Sequence, residues 1–305
     1  MPCFLVPLHE YNHCHLPGGN PVGGQFCGTG DWAAGGGRTK SRRATTSGMH
    51  PATDKERRKL VIPPAYTDVM VSDDPRAELR ATAVSPATGN TAYFYAPAYK
   101  ARQQKAKWDR IVMVQKGVER LAARVDKAVT RPRSAAYHTA MTVRLIMQTG
   151  MRNGTEPDGE TFGASSLRME HVTVTGDSVR FQFPGKGGAL HDLTVHDPVL
   201  ARYAASRQGR ETLFPHTGAD TLSYLKTVGG DIKVHDLRTW YATVYADHLV
   251  SEVVTRGLQP KTKKEQKALM KQVSTTVSQR LGNTPGVTLK TYIHPRIWHQ
   301  IGWSE

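Results

Sequence analysis

The chain has few cysteines and lacks the long apolar run that a membrane protein needs. Cys3, Cys14 and Cys27 all lie near its start, so we expect no disulfide framework in the body of the chain and a reducing, intracellular compartment. No apolar stretch approaches the ~18 residues of a membrane-spanning helix. Residues 1–8 are too short and too broken by proline for a signal peptide. These absences predict an intracellular protein that does not associate with membranes.

Acidic residues are also scarce, and the common cofactor motifs are missing. Asp and Glu number 26 against 41 Lys and Arg, which gives a net charge of +15. Such an excess attracts polyanions, most often nucleic acid, although an anionic membrane surface or an acidic protein would also fit. We find no Walker sequence and no carboxylate or His–Glu–His cluster suited to a metal. We therefore expect a nucleic-acid-binding protein that uses no nucleotide, metal or other cofactor.

The first segment of the chain, residues 1–55, differs in composition from the rest. It is rich in glycine and ends in the basic stretch RTKSRRATTS, so we predict a disordered tail. Its cysteines and histidines make a zinc site conceivable, but their spacing fits no standard ligand pattern. The stretch PGGNPVGGQF is similar to tails of phage-encoded proteins. The predicted location is the bacterial cytoplasm or, for a phage-encoded protein, the host cytoplasm or the virion.

Two domains are predicted after the tail. Residues 56–105 contain the β-prone runs VIPPAYTDVMV, ELRATAV and AYFYA, which indicate a small β-rich domain. A basic helix ending near Pro132 then leads into a domain over 106–305. That domain opens with a helix closed by Gly150 and continues with the strands VTVT, VRFQF and ALHDLTV, the first pair joined at Gly176. The fold class is α+β: a β-rich amino-terminal lobe and a mainly α-helical lobe with a three-stranded β-hairpin sheet.

Four residues of the second domain occupy unusual positions for core side chains. TGMRNG places Arg152 just past a helix end, PGKGG places Lys186 at a β-turn, HDLRTW places Arg238 early in a helix, and LKTYIHP places Tyr292 late in the chain. Each residue alone could have a purely structural role: a helix cap, a solvated lysine, a surface ion pair or a core tyrosine. Their combination suits the transfer of a phosphodiester.

That chemistry requires a nucleophile, stabilising positive charge and an acid. A tyrosine hydroxyl, with a pKa of about 10, can attack phosphorus. Two guanidinium groups can hold the extra negative charge of the pentacoordinate phosphorane in fixed geometry. A lysine whose pKa is lowered by neighbouring arginines can protonate the leaving deoxyribose oxygen. The covalent phosphotyrosine preserves the bond energy, so resealing needs no ATP.

The segments that carry these residues follow a recognisable order. They read GNTAYFYAPAYKARQQKAKWDRI, TGMRNG, TFGASSLRMEHV, FPGKGG, HDLRTW and LGNTPGVTLKTYIHP. From about Lys59 to Trp298 the chain resembles the type IB DNA topoisomerases, in particular their small poxvirus-like and bacterial branch. The resemblance implies that residues 56–105 form an amino-terminal DNA-binding domain and residues 106–305 a catalytic domain with the fold shared with tyrosine recombinases. It also implies a C-shaped clamp around duplex DNA and a monomer. It also implies transient cleavage of one strand and relaxation of supercoils by strand rotation, without ATP or metal.

The resemblance also assigns roles to the four residues. Arg152 and Arg238 would be the two arginines that stabilise the transition state. Lys186 would be the general acid. Tyr292 would form a 3′-phosphotyrosyl link and leave a free 5′-hydroxyl.

Five further positions follow from the same comparison. Tyr93 and Tyr95 lie where the family places DNA-contacting tyrosines, and Ala92 replaces a base-contacting glutamine. Asn283 stands where poxvirus members have histidine; its amide can donate a hydrogen bond to a phosphate oxygen but carries no charge. His235 in HDLR has the shape of the H-x-x-R box of tyrosine recombinases, so a phosphate contact and a structural polar contact both stay open.

Two alternative functions share part of this evidence. A tyrosine recombinase or resolvase would use the same chemistry to join different ends. A non-catalytic DNA-binding protein would have lost the chemistry. IPPAYTDV is similar to the opening of the amino-terminal domain in that topoisomerase branch. Recombinases commonly exchange a carboxy-terminal element between protomers, and only 13 residues follow Tyr292, so both features favour a topoisomerase. The intact Arg152, Lys186, Arg238 and Tyr292 argue against a decayed site.

Overall fold

The computed structural model describes residues 48–154 and 160–304. Two compact units emerge, the first ending at Lys107 and the second running from Trp108 onward. We predicted the change of domain at residues 105 and 106. Residues 1–47, with the possible zinc ligands of the tail, lie outside the described residues. The assignment of the first unit to DNA binding and of the second to catalysis stays a prediction.

The first unit is built on a four-stranded antiparallel sheet in which each strand pairs with the next along the chain. Inward-facing apolar residues of β2 and β3 form its core, because side chains of a strand alternate between the two faces. The strands and the one short helix before β2 are β1 (Met49–Pro51), α1 (Asp54–Lys59), β2 (Thr67–Ser72), β3 (Leu79–Val84) and β4 (Thr91–Tyr95). The three β-prone runs of the sequence are confirmed as β2, β3 and β4.

Strand β1 and helix α1 have no counterpart in the sequence prediction, which left Met49–Pro51 in the tail. A three-residue strand containing proline shows no alternation that a pattern could detect. Its ordering comes from contacts distant in sequence: His50 lies between the carboxylates of Asp73, at 2.6 Å, and Glu56, at 3.0 Å. Thr53 and Glu56 cap α1 reciprocally, as the sequence TDKE allows.

The contact of His50 with two carboxylates makes the stability of the first unit depend on pH. Hydrogen bonds with Asp73 and Glu56 raise the pKa of His50 above 6.5. Hydrogen bonds from Thr53 and His50 lower the pKa of Glu56 from 4.5 to about 2. The histidine contribution is therefore complete below pH 6.5 and lost as pH rises through the raised pKa. The glutamate contribution is complete above pH 4.5 and lost as pH falls towards 2.

We expect hydrogen-exchange protection of the β1 and β2 amides, corrected for intrinsic exchange, to be higher at about pH 5.5 than at about pH 8.5. The variant His50→Gln keeps hydrogen-bonding groups but cannot titrate, so its protection should not change between the two pH values. An equal pH response in both proteins would contradict the assignment to His50.

Helix α2 (Pro97–Val129) contributes its carboxy-terminal part to the second unit. Its buried side chains recur at helical spacing and pack on the core. They include Val114, Val118, Leu121 and Val125. At its start in this unit, Arg110 donates to both carboxylate oxygens of Asp236, at 3.0 Å and 2.6 Å, and so ties α2 to a helix that carries site residues.

The second unit contains a three-stranded sheet and a set of helices, which confirms the predicted α+β class. The sheet is made of β5 (Val172–Thr175), β6 (Ser178–Pro184) and β7 (Leu190–His196), joined as two successive hairpins. The helices are α3 (Tyr137–Thr149), α4 (Pro198–Ala205), α5 (Gly218–Gly229), α6 (Val234–Thr255), α7 (Lys263–Leu281) and α8 (Pro285–Val287). A π-helical turn, Thr288–Tyr292, and a 3-10 helix, Pro295–Ile301, follow.

The sheet places one polar side chain on its buried face. Along β6, Val179, Phe181 and Phe183 point into the core, as the alternation predicts. Their partners across the β6–β7 ladder are Val195, Leu193 and His191. His191 is therefore held where a strand of this pattern would carry an apolar residue.

Candidate active site

The loop that carries Arg152 is fixed by its backbone. Helix α3 ends at Gly150, whose φ of 64° is left-handed, and a methyl group there would lie 2.6 Å from Cδ1 of Tyr241. Glycine is therefore required. The carbonyl of Arg152 accepts a hydrogen bond from the Ala164 N–H at 2.8 Å. The carbonyl of Asn153 accepts from Ser165.

Arg238 is the central residue of the site. It lies on α6 with only 2% of its surface exposed. Its Nη1 donates to the carbonyl of Gly150, and its Nη2 donates to the carbonyl of Leu281 at 3.1 Å. One guanidinium thus joins the ends of α3 and α7. Burial, together with the charge of Arg152, lowers the pKa of Arg238 to about 10, so the group stays protonated at neutral pH.

Tyr292 lies against this guanidinium. Its ring centroid is 5.5 Å from Cζ of Arg238, and the residue is 5% exposed. The Thr243 hydroxyl fixes the backbone here, since it donates to the Tyr292 carbonyl at 3.2 Å and accepts from the His294 N–H at 3.1 Å. The exposed ring of His235 lies 5.4 Å from the Tyr292 ring. His235 therefore borders the nucleophile predicted from the sequence.

Asn283 completes the cluster from the turn after α7. That turn begins at Gly282, which has a φ of 62°. The Oδ1 of Asn283 accepts a hydrogen bond from Nη2 of Arg152 at 3.3 Å. Arg152, Arg238, Asn283 and Tyr292 are therefore brought together from four separate segments.

The cluster carries positive charge and two buried donors that await an acceptor. Among the described residues, Arg152 and Arg238 form no ion pair with a carboxylate. The Nε of Arg238 and the Nδ2 of Asn283 are both buried and have no hydrogen-bond acceptor within residues 48–154 and 160–304. A buried donor without a partner is costly. Such a site suits an anion with several oxygen atoms, such as a phosphodiester.

Lys186 lies outside this cluster. It is exposed, in the turn between β6 and β7, and within the described part of the chain it forms no hydrogen bond or ion pair. Gly187 and Gly188 beside it have φ values of 74° and 75°. The structure brings three of the four key side chains together and leaves the role of Lys186 a prediction.

Tyr93 and Tyr95 belong to the first unit, where they form part of an aromatic row. Their rings stack with centroids 6.5 Å apart, and Tyr95 stacks on Tyr99 at 4.8 Å. The guanidinium of Arg102 lies 5.5 Å from the Tyr99 ring. Aromatic faces combined with a cation suit contact with nucleic acid. Tyr99 was not singled out from the sequence, although it lies four residues after Tyr95, near the start of α2.

Two families match the chain. The family described as eukaryotic DNA topoisomerase I, catalytic core, matches residues 96–301, and the one described as bacterial DNA topoisomerase IB, N-terminal domain, matches residues 46–84. The chain belongs to the type IB DNA topoisomerases. It is thus an isomerase that acts on duplex DNA, and the resemblance found in the sequence is confirmed.

Named relatives agree with the family. The chain is 25% identical over 261 residues to DNA topoisomerase 1B of Acanthamoeba polyphaga mimivirus, covering 77% of this chain and 76% of the relative. It is also 25% identical over 258 residues to DNA topoisomerase 1B of Vaccinia virus (strain Copenhagen), covering 79% of each. A solved complex of the XerH site-specific recombinase with its difH substrate has a TM-score of 0.37 at 16% identity, covering 60% of this chain and 52% of that chain.

The part of the chain that the structure describes contains no group of three or more His, Cys, Asp or Glu side chains placed to hold a metal. Within the same ranges, no helix is both long and apolar enough to cross a membrane.

Supporting residues of the enzyme were missed by the sequence reasoning. Asp236, between His235 and Arg238, is buried and accepts from Arg110 and from the Lys233 N–H at 2.9 Å, which fixes the start of α6. The close approach of Gly163 to Gly154, where a methyl group would lie 2.5 Å from a backbone nitrogen, supports the Arg152 loop. The glycines were visible in the sequence, but a single glycine does not show which backbone approaches it.

Proposed function

We propose that this topoisomerase cleaves DNA through Tyr292, with Arg152, Arg238 and Asn283 holding the scissile phosphate and Lys186 acting as general acid. The observation that carries the proposal is the buried cluster itself. A tyrosine lies against an arginine whose Nε lacks an acceptor, and the Nδ2 of Asn283 also lacks one. These donors suit the non-bridging oxygens of a phosphate.

The proposed step conserves atoms and charge. The Tyr292 oxygen forms a bond to phosphorus while the bond from phosphorus to the 5′ oxygen breaks. The phenol proton passes to water, and Lys186 gives a proton to the departing 5′ oxygen. The products are a 3′-phosphotyrosine and a 5′-hydroxyl. The reverse step reseals the strand after rotation, and since the bond energy is kept, no nucleotide is consumed.

The guanidinium groups of Arg152 and Arg238 and the amide of Asn283 would all stabilise the negative charge of the same phosphate. Arg238 is held by two backbone carbonyls, so its remaining N–H donors are fixed in direction before DNA arrives. Arg152 is held through the Asn283 amide. Preorganised donors stabilise a transition state without reorganisation at the moment of reaction. We assign His235 to a phosphate-side contact, and Tyr93 and Tyr95 to contact with the DNA duplex.

A plasmid assay tests the proposed function. Purified protein is incubated with negatively supercoiled plasmid in EDTA and without ATP. We expect a ladder of topoisomers. Covalent adducts without relaxation would instead indicate a recombinase or resolvase, and a mobility shift alone would indicate a non-catalytic DNA-binding protein. The same assay, run over a range of protein concentrations, tests the proposal that a monomer suffices.

The role of Lys186 is tested through the leaving group. We expect Lys186→Ala to slow cleavage by about 10²- to 10⁴-fold, the usual contribution of a general acid. A substrate with a bridging sulfur at the 5′ position should restore the rate, because a thiolate leaves without a proton. Lys226→Ala, an exposed lysine on α5, controls for lost surface charge. Absence of rescue by sulfur would remove Lys186 from the acid role.

A further inference from the structure

One buried histidine of the second unit has no role in the mechanism above. His191 lies on β7 with 8% of its surface exposed, and its ring stacks on Phe183 with centroids 4.7 Å apart and planes at 8°. The neighbours on the same face of the strand are Leu193 and Val195. An imidazole thus occupies a position that the strand pattern assigns to an apolar side chain.

The ring touches the two glycine turns that precede catalytic residues. A methyl group built on Gly185 would lie 2.6 Å from Cδ2 of His191, and one built on Gly282 would lie 2.4 Å from Nε2. Gly185 directly precedes Lys186, and Gly282 directly precedes Asn283. The His191 side chain therefore lies against the backbone of both glycine turns. No residue larger than glycine fits at either turn while the ring is present.

The ring is held by packing rather than by hydrogen bonds of its own. Its Nδ1 is buried without a hydrogen-bond partner among the described residues. Burial, with the charges of Arg238 and Arg152, lowers the pKa of His191 to about 4. The imidazole is therefore neutral at physiological pH and adds no charge to the site. The contribution of the imidazole to the site is therefore steric.

The turn that carries Lys186 needs a support of this kind. Two backbone hydrogen bonds close the turn on itself: the Gly185 N–H donates to the Ala189 carbonyl at 2.7 Å, and the Gly188 N–H donates to the Gly185 carbonyl at 3.0 Å. Between them lie Lys186 and two glycines with positive φ. Both bonds join atoms of the turn to each other, so neither fixes the turn relative to Asn283. A displacement of about 1 Å in a reacting group can lower a rate by about 10²-fold.

We infer that His191 is a positioning residue that sets the separation between the Lys186 turn and the Gly282–Asn283 turn. The inference rests on the proposed function, since it needs Lys186 to be the general acid. A purely structural histidine would fill the same space but would have no selective effect on proton transfer to the leaving group.

Substrates with different leaving groups separate a positioning role of His191 from a purely structural one. We expect His191→Ala to slow cleavage of an ordinary phosphodiester by about 10- to 100-fold. The same variant should cleave the 5′-bridging sulfur substrate at close to the wild-type rate. His196→Ala, a histidine on the solvent face of the same strand, should leave both rates unchanged. Equal slowing of both substrates by His191→Ala would overturn the inference.

Variants at Gly185 test the inference even if His191→Ala alone fails to fold. Gly185 has a φ of −97°, which alanine adopts without strain, so Gly185→Ala alone should suffer only from the clash with the ring. In the double variant Gly185→Ala/His191→Ala the new methyl group occupies space vacated by the ring. The oxygen-substrate rate of the double variant should exceed that of Gly185→Ala. If the two mutations instead slow cleavage independently, the ring is not the contact that matters.

The result for Lys186→Ala distinguishes failure of this inference from failure of the proposed function. If sulfur rescues Lys186→Ala but not His191→Ala, the acid assignment stands and the positioning role is wrong. If sulfur rescues neither variant, the acid assignment fails, and the positioning role fails with it.

Discussion

Replacing Tyr292 by phenylalanine should abolish the covalent protein–DNA adduct and relaxation, with a loss of at least about 10⁴-fold, while DNA binding is retained. The change removes one oxygen atom. The buried ring keeps its packing against Arg238 and the His235 ring, so we expect the variant to fold. Adduct formation is measured by denaturing gel electrophoresis with end-labelled DNA, and binding by mobility shift.

Tyr245→Phe is the matched control for this experiment. Tyr245 is also 5% exposed, lies on α6 and is approached by a cation, Arg280, at 6.0 Å from its ring centroid. Its variant loses a buried hydroxyl outside the cluster and should form the adduct normally. An adduct that persists in Tyr292→Phe would show that another residue is the nucleophile.

Local features of the fold were predictable because their causes are local. The end of α3 follows from Gly150, and the alternation in β6 and β7 reports which face is buried. The same alternation places His191 on the core side, a signal present in the sequence but not used. Strand β1 could not be predicted, because its ordering depends on Asp73, which directly follows β2 and lies 23 residues along the chain from His50.

The arrangement of the site follows from tertiary packing, which the sequence does not contain. Residues 238 and 292 meet because α6 contacts the π-helical turn, and residues 152 and 283 meet because Arg238 joins the ends of α3 and α7. Sequence order suggested these partners only through the family resemblance. The distances, and the two donors left without acceptors, required the structure.

Arg238 is the residue whose replacement should disturb the site most after the nucleophile. Its Nη1 and Nη2 hold the carbonyls of Gly150 and Leu281, and its Nε is a buried donor without an acceptor among the described residues, which we propose for the phosphate. Alanine removes the transition-state charge and leaves both buried carbonyls without their donor. Lysine keeps the charge but cannot form this planar fork.

We expect Arg238→Ala to lower the single-turnover cleavage rate by about 10³-fold or more, and Arg238→Lys by about 10²-fold. Each orphaned carbonyl costs about 1–3 kcal/mol, so the alanine variant should also have a lower melting temperature. Cleavage rates are measured at saturating DNA concentration, so that weaker DNA binding does not affect the measured rate.

Arg280→Lys is the matched control, because Arg280 is another arginine whose pKa is lowered to about 10 by burial. It lies outside the cluster, so its variant should cleave at close to the wild-type rate. A cleavage rate for Arg238→Lys within about threefold of wild type would mean that positive charge alone suffices. The bridge between α3 and α7 would then serve the fold and not the reaction.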